Sequence, residues 1–162
     1  MADADDNAGV IAPPPLIALA VVVFGLALDW LLPAYVLTVL LSFTARIVVG
    51  VILIAAGLAL MIPANLAFRS AGTNPEPWKP SFALVTDGVF AWLRNPMYVG
   101  GILILLGLAI LLASDWMVVL TVLSALVLHV GVVKREERYL EAKFGDAYRR
   151  YKSQVPRYGW PG

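Results

Sequence analysis

The apolar positions of this chain fall in long unbroken runs separated by short polar breaks, not in the narrow stripe of a soluble amphipathic helix. A helix that crosses a membrane needs roughly 20 mostly apolar residues. Four runs reach or approach that length, at about residues 15–32, 47–68, 97–113 and 116–133. The third is short and glycine-rich, with Gly100, Gly101 and Gly107. Residues 34–43 are apolar too, but at ~1.5 Å per residue they are too short to cross alone. They read as the end of a first hairpin beyond a break at Pro33, with a separate re-entrant element as the alternative. The pattern predicts an all-α integral membrane protein with four transmembrane helices in two hairpins. Residues 1–162 then form a single membrane domain, with a loop at 69–96 and a C-terminal segment at 134–162.

The breaks carry their own signals. Pro13, Pro14 and Pro15 mark a helix entry, and Pro75, Pro77 and Pro80 with Gly72 and Asn74 make residues 70–82 a structured loop. Thr86, Asp87 and Gly88 read as a turn. The first run is flanked by Asp3, Asp5 and Asp6 instead of basic residues, so it is read as a helix and not as a signal peptide.

Composition agrees with the pattern. Of 162 residues, 60% are hydrophobic and 14% charged, against about 25% charged in an ordinary soluble domain. That balance excludes a disordered chain, a soluble nucleic-acid binder and a disulfide scaffold. With no cysteine and one histidine, neither a thiol nucleophile nor a metal site is expected. The net charge of +1 says little, but its placement says more. With four crossings, the N-terminus, the central loop and the C-terminal segment share one side. Eleven of the twelve Lys and Arg residues lie on that side, and only Arg46 lies opposite. The positive-inside rule makes that side cytoplasmic, both termini included.

Two polar constellations stand at the ends of apolar runs on the basic side. In Arg94-Asn95-Pro96-Met97-Tyr98-Val99-Gly100-Gly101, Pro96 suits the first turn of a helix and Asn95 suits its N-cap. The helix N-terminus beside Arg94 offers free N–H groups to an anion, and the two glycines give room for a ligand or another helix. A plain capped helix with an interfacial arginine and tyrosine is an equally good account of the same residues. In Lys134-Arg135-Glu136-Glu137-Arg138-Tyr139, the paired acids can bind hydroxyl or amino groups, or can simply form surface ion pairs. His129 lies seven residues before Glu136, on the same face of a regular helix, and an ionisable residue inside an apolar run is a functional candidate. Leu140, Phe144, Ala147, Tyr148 and Tyr151 fall at helical spacing and predict a C-terminal cytoplasmic amphipathic helix. Such a helix lies along headgroups or covers a ligand. There is no GxGxxG after a strand, no P-loop and no nucleophile elbow.

Taken together, these motifs form a recognisable series: Arg69-Ser-Ala-Gly-Thr73, Pro75, Leu84-Val-Thr-Asp-Gly88, Arg94-Asn-Pro-Met-Tyr98, Gly100, Glu136-Glu137, Phe144-Gly145, Tyr148, Tyr151 and Val155-Pro156-Arg157. The series resembles the isoprenylcysteine carboxyl methyltransferase and phospholipid methyltransferase superfamily in its small bacterial branch, over residues 69–160. The resemblance implies an S-adenosylmethionine-dependent membrane methyltransferase. Its acceptor would be lipophilic, either an isoprenylcysteine-type carboxylate or a lipid amine, and would enter from the bilayer. It also implies a cofactor site at Arg94, Asn95, Pro96, Tyr98, Gly100, Glu136 and Glu137. Aromatic residues such as Tyr98, Tyr139 or Trp92 would flank the adenine, and His129 and Arg157 are candidates on the acceptor side. Asn95 departs from the eukaryotic prenylcysteine enzymes, which have His there; Asn does not titrate near pH 7, so no acid–base role falls to it. A membrane sterol or steroid reductase shares the Arg-(His/Asn)-Pro-x-Tyr segment and would bind NADPH. A non-catalytic membrane protein of the same fold is the third reading.

Overall fold

In a computed structural model of the chain, residues 6–159 are described; Asp3, Asp5 and the end of the resemblance at Trp160 lie outside them. The described residues form helices joined by turns, with no strand among them. Helix α1 spans Pro14–Leu31, α2 is a five-residue turn at Val36–Leu40, and α3 spans Phe43–Ser70. A 3₁₀ turn at Gly88–Ala91 precedes α4, Pro96–Leu112. Then come α5, Asp115–Leu128, a π turn at His129–Val133, α6, Lys134–Phe144, and α7, Asp146–Gln154.

Three of these elements are long and apolar enough to cross a membrane: α1, α3 and the continuous stretch Asp115–Phe144. The fourth expected span, α4, is apolar but only 17 residues long, about 26 Å. Two boundaries also move. Helix α3 starts at Phe43, four residues before the expected 47, because the Ser42 hydroxyl accepts from the Ala45 N–H and caps it there. The last long helix does not end at residue 133 but runs through the π turn into the charged segment. Residues 34–43 hold α2 and the first residue of α3; the Val36 and Leu37 N–H groups of α2 donate to the Asp115 carboxylate at 3.0 and 2.9 Å.

Helices α3 and α4 pack antiparallel along matched glycines. A Cβ on Gly57 would lie 2.6 Å from the Gly100 carbonyl oxygen, and one on Gly50 would lie 2.9 Å from that of Gly107. The helices therefore touch backbone to backbone, as small residues permit where no hydrophobic effect draws apolar helices together. Helix α1 packs on α5, and the Asp29 carboxylate takes the Ser114 hydroxyl at the turn between α4 and α5.

At the opposite end, a buried cluster of Ala64, Phe90, Tyr148, Tyr151 and Val155 joins α3, the 3₁₀ turn and α7. Leu140 and Phe144 pack against it. The expected amphipathic helix is thus two helices, broken at Gly145, whose φ of +55° stops α6. Of the apolar face expected to lie on headgroups or over a ligand, Tyr148 and Tyr151 are buried in this cluster and, with Leu140, also line a cavity at this end, while Ala147 is exposed. The N-terminal segment crosses the same end: Ala8 N–H donates to Pro77 O at 3.0 Å and Ile11 N–H to Gly131 O at 3.2 Å. Lys143 holds Asp6 at 2.6 Å.

Candidate functional site

A cavity of about 420 Å³ opens at this end, within the range of small-ligand sites. Its polar wall is built by Arg94, Asn95, Tyr98, Glu136, Glu137 and Tyr139, with Pro96 and Met97 at the first turn of α4. Its apolar side comes from Ile17 and Ala18 on α1, Met61 on α3, Ile102 and Leu105 on α4, and Leu128 on α5. Two segments 40 residues apart in sequence, expected to form one site, therefore meet.

Glu137 is the centre of the polar wall. Its carboxylate takes Arg94 at 2.8 Å on one side, and on the other a two-pronged contact from Arg157, at 2.8 and 2.7 Å. The Arg94 and Glu137 side chains are 8% and 6% exposed, so this pair is buried while Arg157 is partly wet. One carboxylate serves two guanidiniums, and the Nε–H of Arg94 is buried without a hydrogen-bond partner among the described residues. An orphaned cationic donor on a cavity wall suits an anionic group of a ligand. The N-terminus of α4 adds to this, because Asn95 does not cap it; the Asn95 amide instead donates to Arg157 O at 3.3 Å. Glu136 faces the cavity and accepts from the Tyr98 hydroxyl at 2.6 Å.

The C-terminal segment locks this wall. Arg94 N–H donates to Pro156 O at 2.9 Å, and the Tyr151 hydroxyl donates to Phe90 O at 2.7 Å. Burial, reinforced by the nearby Glu137 charge, pushes the Tyr148 phenol up to about 12, so it stays a neutral hydroxyl against Arg94 at 3.5 Å. Hydrogen bonding to Glu137 raises the Arg157 guanidinium further above its ordinary value.

The structure places the other candidate residues as follows. Gly100 does not face the cavity; it is the contact point with α3, and Gly101 lines the cavity instead. Trp92 is 78% exposed and does not line it. Tyr139 does line it, but its hydroxyl is engaged, donating to Asp6 at 2.8 Å and accepting from Ser81 N–H at 3.0 Å. Arg157 is held by Glu137 and lies off the cavity. His129 also lies off it, with Nδ1 2.7 Å from the Tyr158 hydroxyl. The π turn explains the last point: at more than four residues per turn, seven residues no longer make two turns, so His129 and Glu136 leave their common face. Asn65, from the C-terminal part of α3, lines the cavity and was missed by sequence reasoning; a lone amide in a 28-residue apolar helix was the available signal. Among the described residues, no three His, Asp or Glu side chains gather to hold a metal ion.

The phospholipid methyltransferase family matches residues 45–147, which contain both halves of the polar wall. The chain belongs to this family. It is 43% identical over 76 residues to a protein-S-isoprenylcysteine O-methyltransferase of Schizosaccharomyces pombe, covering 45% of this chain and 31% of that protein. It is 32% identical over 113 residues to the protein of the same name from Xenopus laevis, covering 67% of this chain and 38% of that one. A Haemophilus influenzae protein described only as uncharacterized is 42% identical over 62 residues, 38% of this chain and 98% of its own length. The chain thus spans about a third of the length of the two methyltransferases it matches. No solved structure matches it.

Proposed function

We propose that this protein is an integral membrane methyltransferase that takes S-adenosylmethionine into the cavity and methylates a lipophilic acceptor. The observation that carries the reading is the make-up of the cavity wall: its basic and acidic side chains are one guanidinium, Arg94, and three carboxyl groups, Glu76, Glu136 and Glu137. S-adenosylmethionine carries one anionic and two cationic centres and matches that lining. NADPH, with its several phosphates, does not; the arginine and lysine residues of the C-terminal segment that would hold a 2′-phosphate lie outside the cavity.

When bound, the sulfonium supplies an already activated methyl group. The residues then have to bind, align and keep out water. Arg94, through its unpaired Nε–H, and the first-turn amides of α4 hold the methionine carboxylate. Glu136 holds the ammonium or ribose hydroxyls and faces the sulfonium charge. Glu137 is a positioning residue, fixing Arg94 against the pull of the ligand. Support for a lipophilic acceptor comes from the apolar half of the cavity, between α1, α4 and α5. The orientation, with this end cytoplasmic and α4 as a fourth crossing, rests on the Lys and Arg bias.

The test is calorimetry on the full chain in detergent. S-adenosylmethionine is expected to bind, Arg94→Ala to weaken it at least about tenfold, a loss of ~1.4 kcal/mol, and NADPH not to bind. Binding of NADPH alone makes the protein a reductase, and binding of neither leaves a non-catalytic member of the family.

A further inference from the structure

Glu137 is also part of a second wall. On its far side lies an open groove of about 430 Å³, lined by Val130, Lys134, Glu137, Arg138, Lys152 and Arg157. Four cations face one carboxylate there, and that carboxylate is already shared with Arg94 on the cavity side. Lys152 is held by Glu141 at 3.1 Å and Arg157 by Glu137, but Lys134 and Arg138 have no carboxylate partner among the described residues. They stand one turn apart on α6, where Arg138 Nε–H donates to the Lys134 backbone carbonyl at 3.3 Å, and both line the groove. The groove is therefore a built concentration of positive charge, distinct from the cavity.

What lies beside it selects the ligand. Leu123, Leu126, Val127 and Val130 form an exposed apolar ridge on the last long helix, which leads to Lys134. An apolar ridge that ends in a cationic groove fits an amphiphile with an anionic head: the tail covers the ridge and the head enters the groove. A free phosphate ion would use the cations and leave the ridge bare.

We propose that the groove binds the phosphate headgroup of an anionic phospholipid, with its acyl chains along Leu123–Val130. The site needs no cofactor and stands apart from the methyltransferase reading. It is tested by native mass spectrometry of the full chain from neutral detergent, offered equal amounts of dioleoylphosphatidylglycerol and dioleoylphosphatidylcholine. Phosphatidylglycerol is expected to be retained preferentially. Lys134→Gln with Arg138→Gln should lower its retention about tenfold or more, since each basic side chain contributes to such binding. Arg149→Ala with Arg150→Ala, basic residues off the groove, should leave it unchanged. Thermal midpoints establish that each variant is folded; Val130→Glu, which sets a negative charge at the rim, should give the same loss without removing a cation. Equal retention of the two lipids, or equal loss in both double variants, overturns the site. Displacement of the lipid by millimolar inorganic phosphate overturns the lipid assignment.

Discussion

Gly57 and Gly100 meet at the contact between α3 and α4, where a Cβ on Gly100 would lie 2.7 Å from the Gly57 carbonyl oxygen. Its neighbour Gly101 has nothing within 4 Å of its Cβ position and faces the cavity. Two adjacent glycines therefore do different jobs, and substitution separates them. Gly100→Ala is expected to destabilise the protein by about 1–3 kcal/mol, because the Gly57 backbone carbonyl, and not only the Met61 side chain at 2.6 Å, blocks the new methyl. Gly101→Phe should leave the thermal midpoint nearly unchanged and abolish ligand binding by filling the cavity. Thermal unfolding in detergent with parallel calorimetry checks both.

Removing Glu137 leaves Arg94 and Arg157 facing each other with no counter-charge. Breaking a buried pair from one side costs about 3–5 kcal/mol, and at 6% exposure Glu137 belongs in that class. Glu137→Ala should therefore lower both the thermal midpoint and cofactor affinity. Adding Arg157→Ala should restore part of the stability, because it removes one of the two stranded cations. A double-mutant cycle by thermal unfolding reads this coupling, and additive losses would show that the three charges are independent.

The charge of the cavity makes a prediction about product and substrate. S-adenosylhomocysteine lacks the sulfonium charge. If Glu136 faces that charge, Glu136→Gln should cost S-adenosylmethionine more affinity than S-adenosylhomocysteine, by about fivefold or ~1 kcal/mol. Equal losses for the two ligands would move Glu136 away from the sulfur and toward the ribose or amino group they share.

The N-terminal segment is tied down by an exposed contact with a pH signature. Lys143, and then Tyr139, hold the Asp6 carboxyl below its ordinary range. A carboxyl with a lowered folded pKa stabilises above its unfolded value and loses that contribution as pH falls through the folded one. The segment should thus be held at neutral pH and released in acid, below pH ~4. A nitroxide on Val10→Cys, unique in a chain with no cysteine, should become mobile in acid. With Asp6→Asn it should be mobile at every pH. A label equally immobile in both would place the hold elsewhere, at Ala8–Pro77 or Ile11–Gly131.

The helices were legible because the bilayer imposes a length and excludes unsatisfied backbone, so the apolar runs announce themselves. The π turn was not, because nothing in His129-Val-Gly-Val-Val133 distinguishes it from regular helix. Its consequence is large: one register shift separates His129 from Glu136. The candidate residues of the polar wall were legible by type, since an arginine or an acid at the end of an apolar run demands a reason. Their pairings were not. Arg94, Glu136, Glu137 and Arg157 each looked free to take a ligand, and only the fold ties Glu137 to two arginines and Glu136 to Tyr98.

By itself, then, the sequence determined an all-helical membrane protein with its chemistry gathered at one end. Hydrophobic length and charge bias are local properties that survive without knowing what touches what. The tertiary structure decided which glycine packs and which opens, which acid is occupied and which faces the cavity, and that Arg94 keeps one donor unspent. Those are questions of distance between residues far apart in the chain, and backbone contact, burial and competition for a single carboxylate answer them only once the helices are in place.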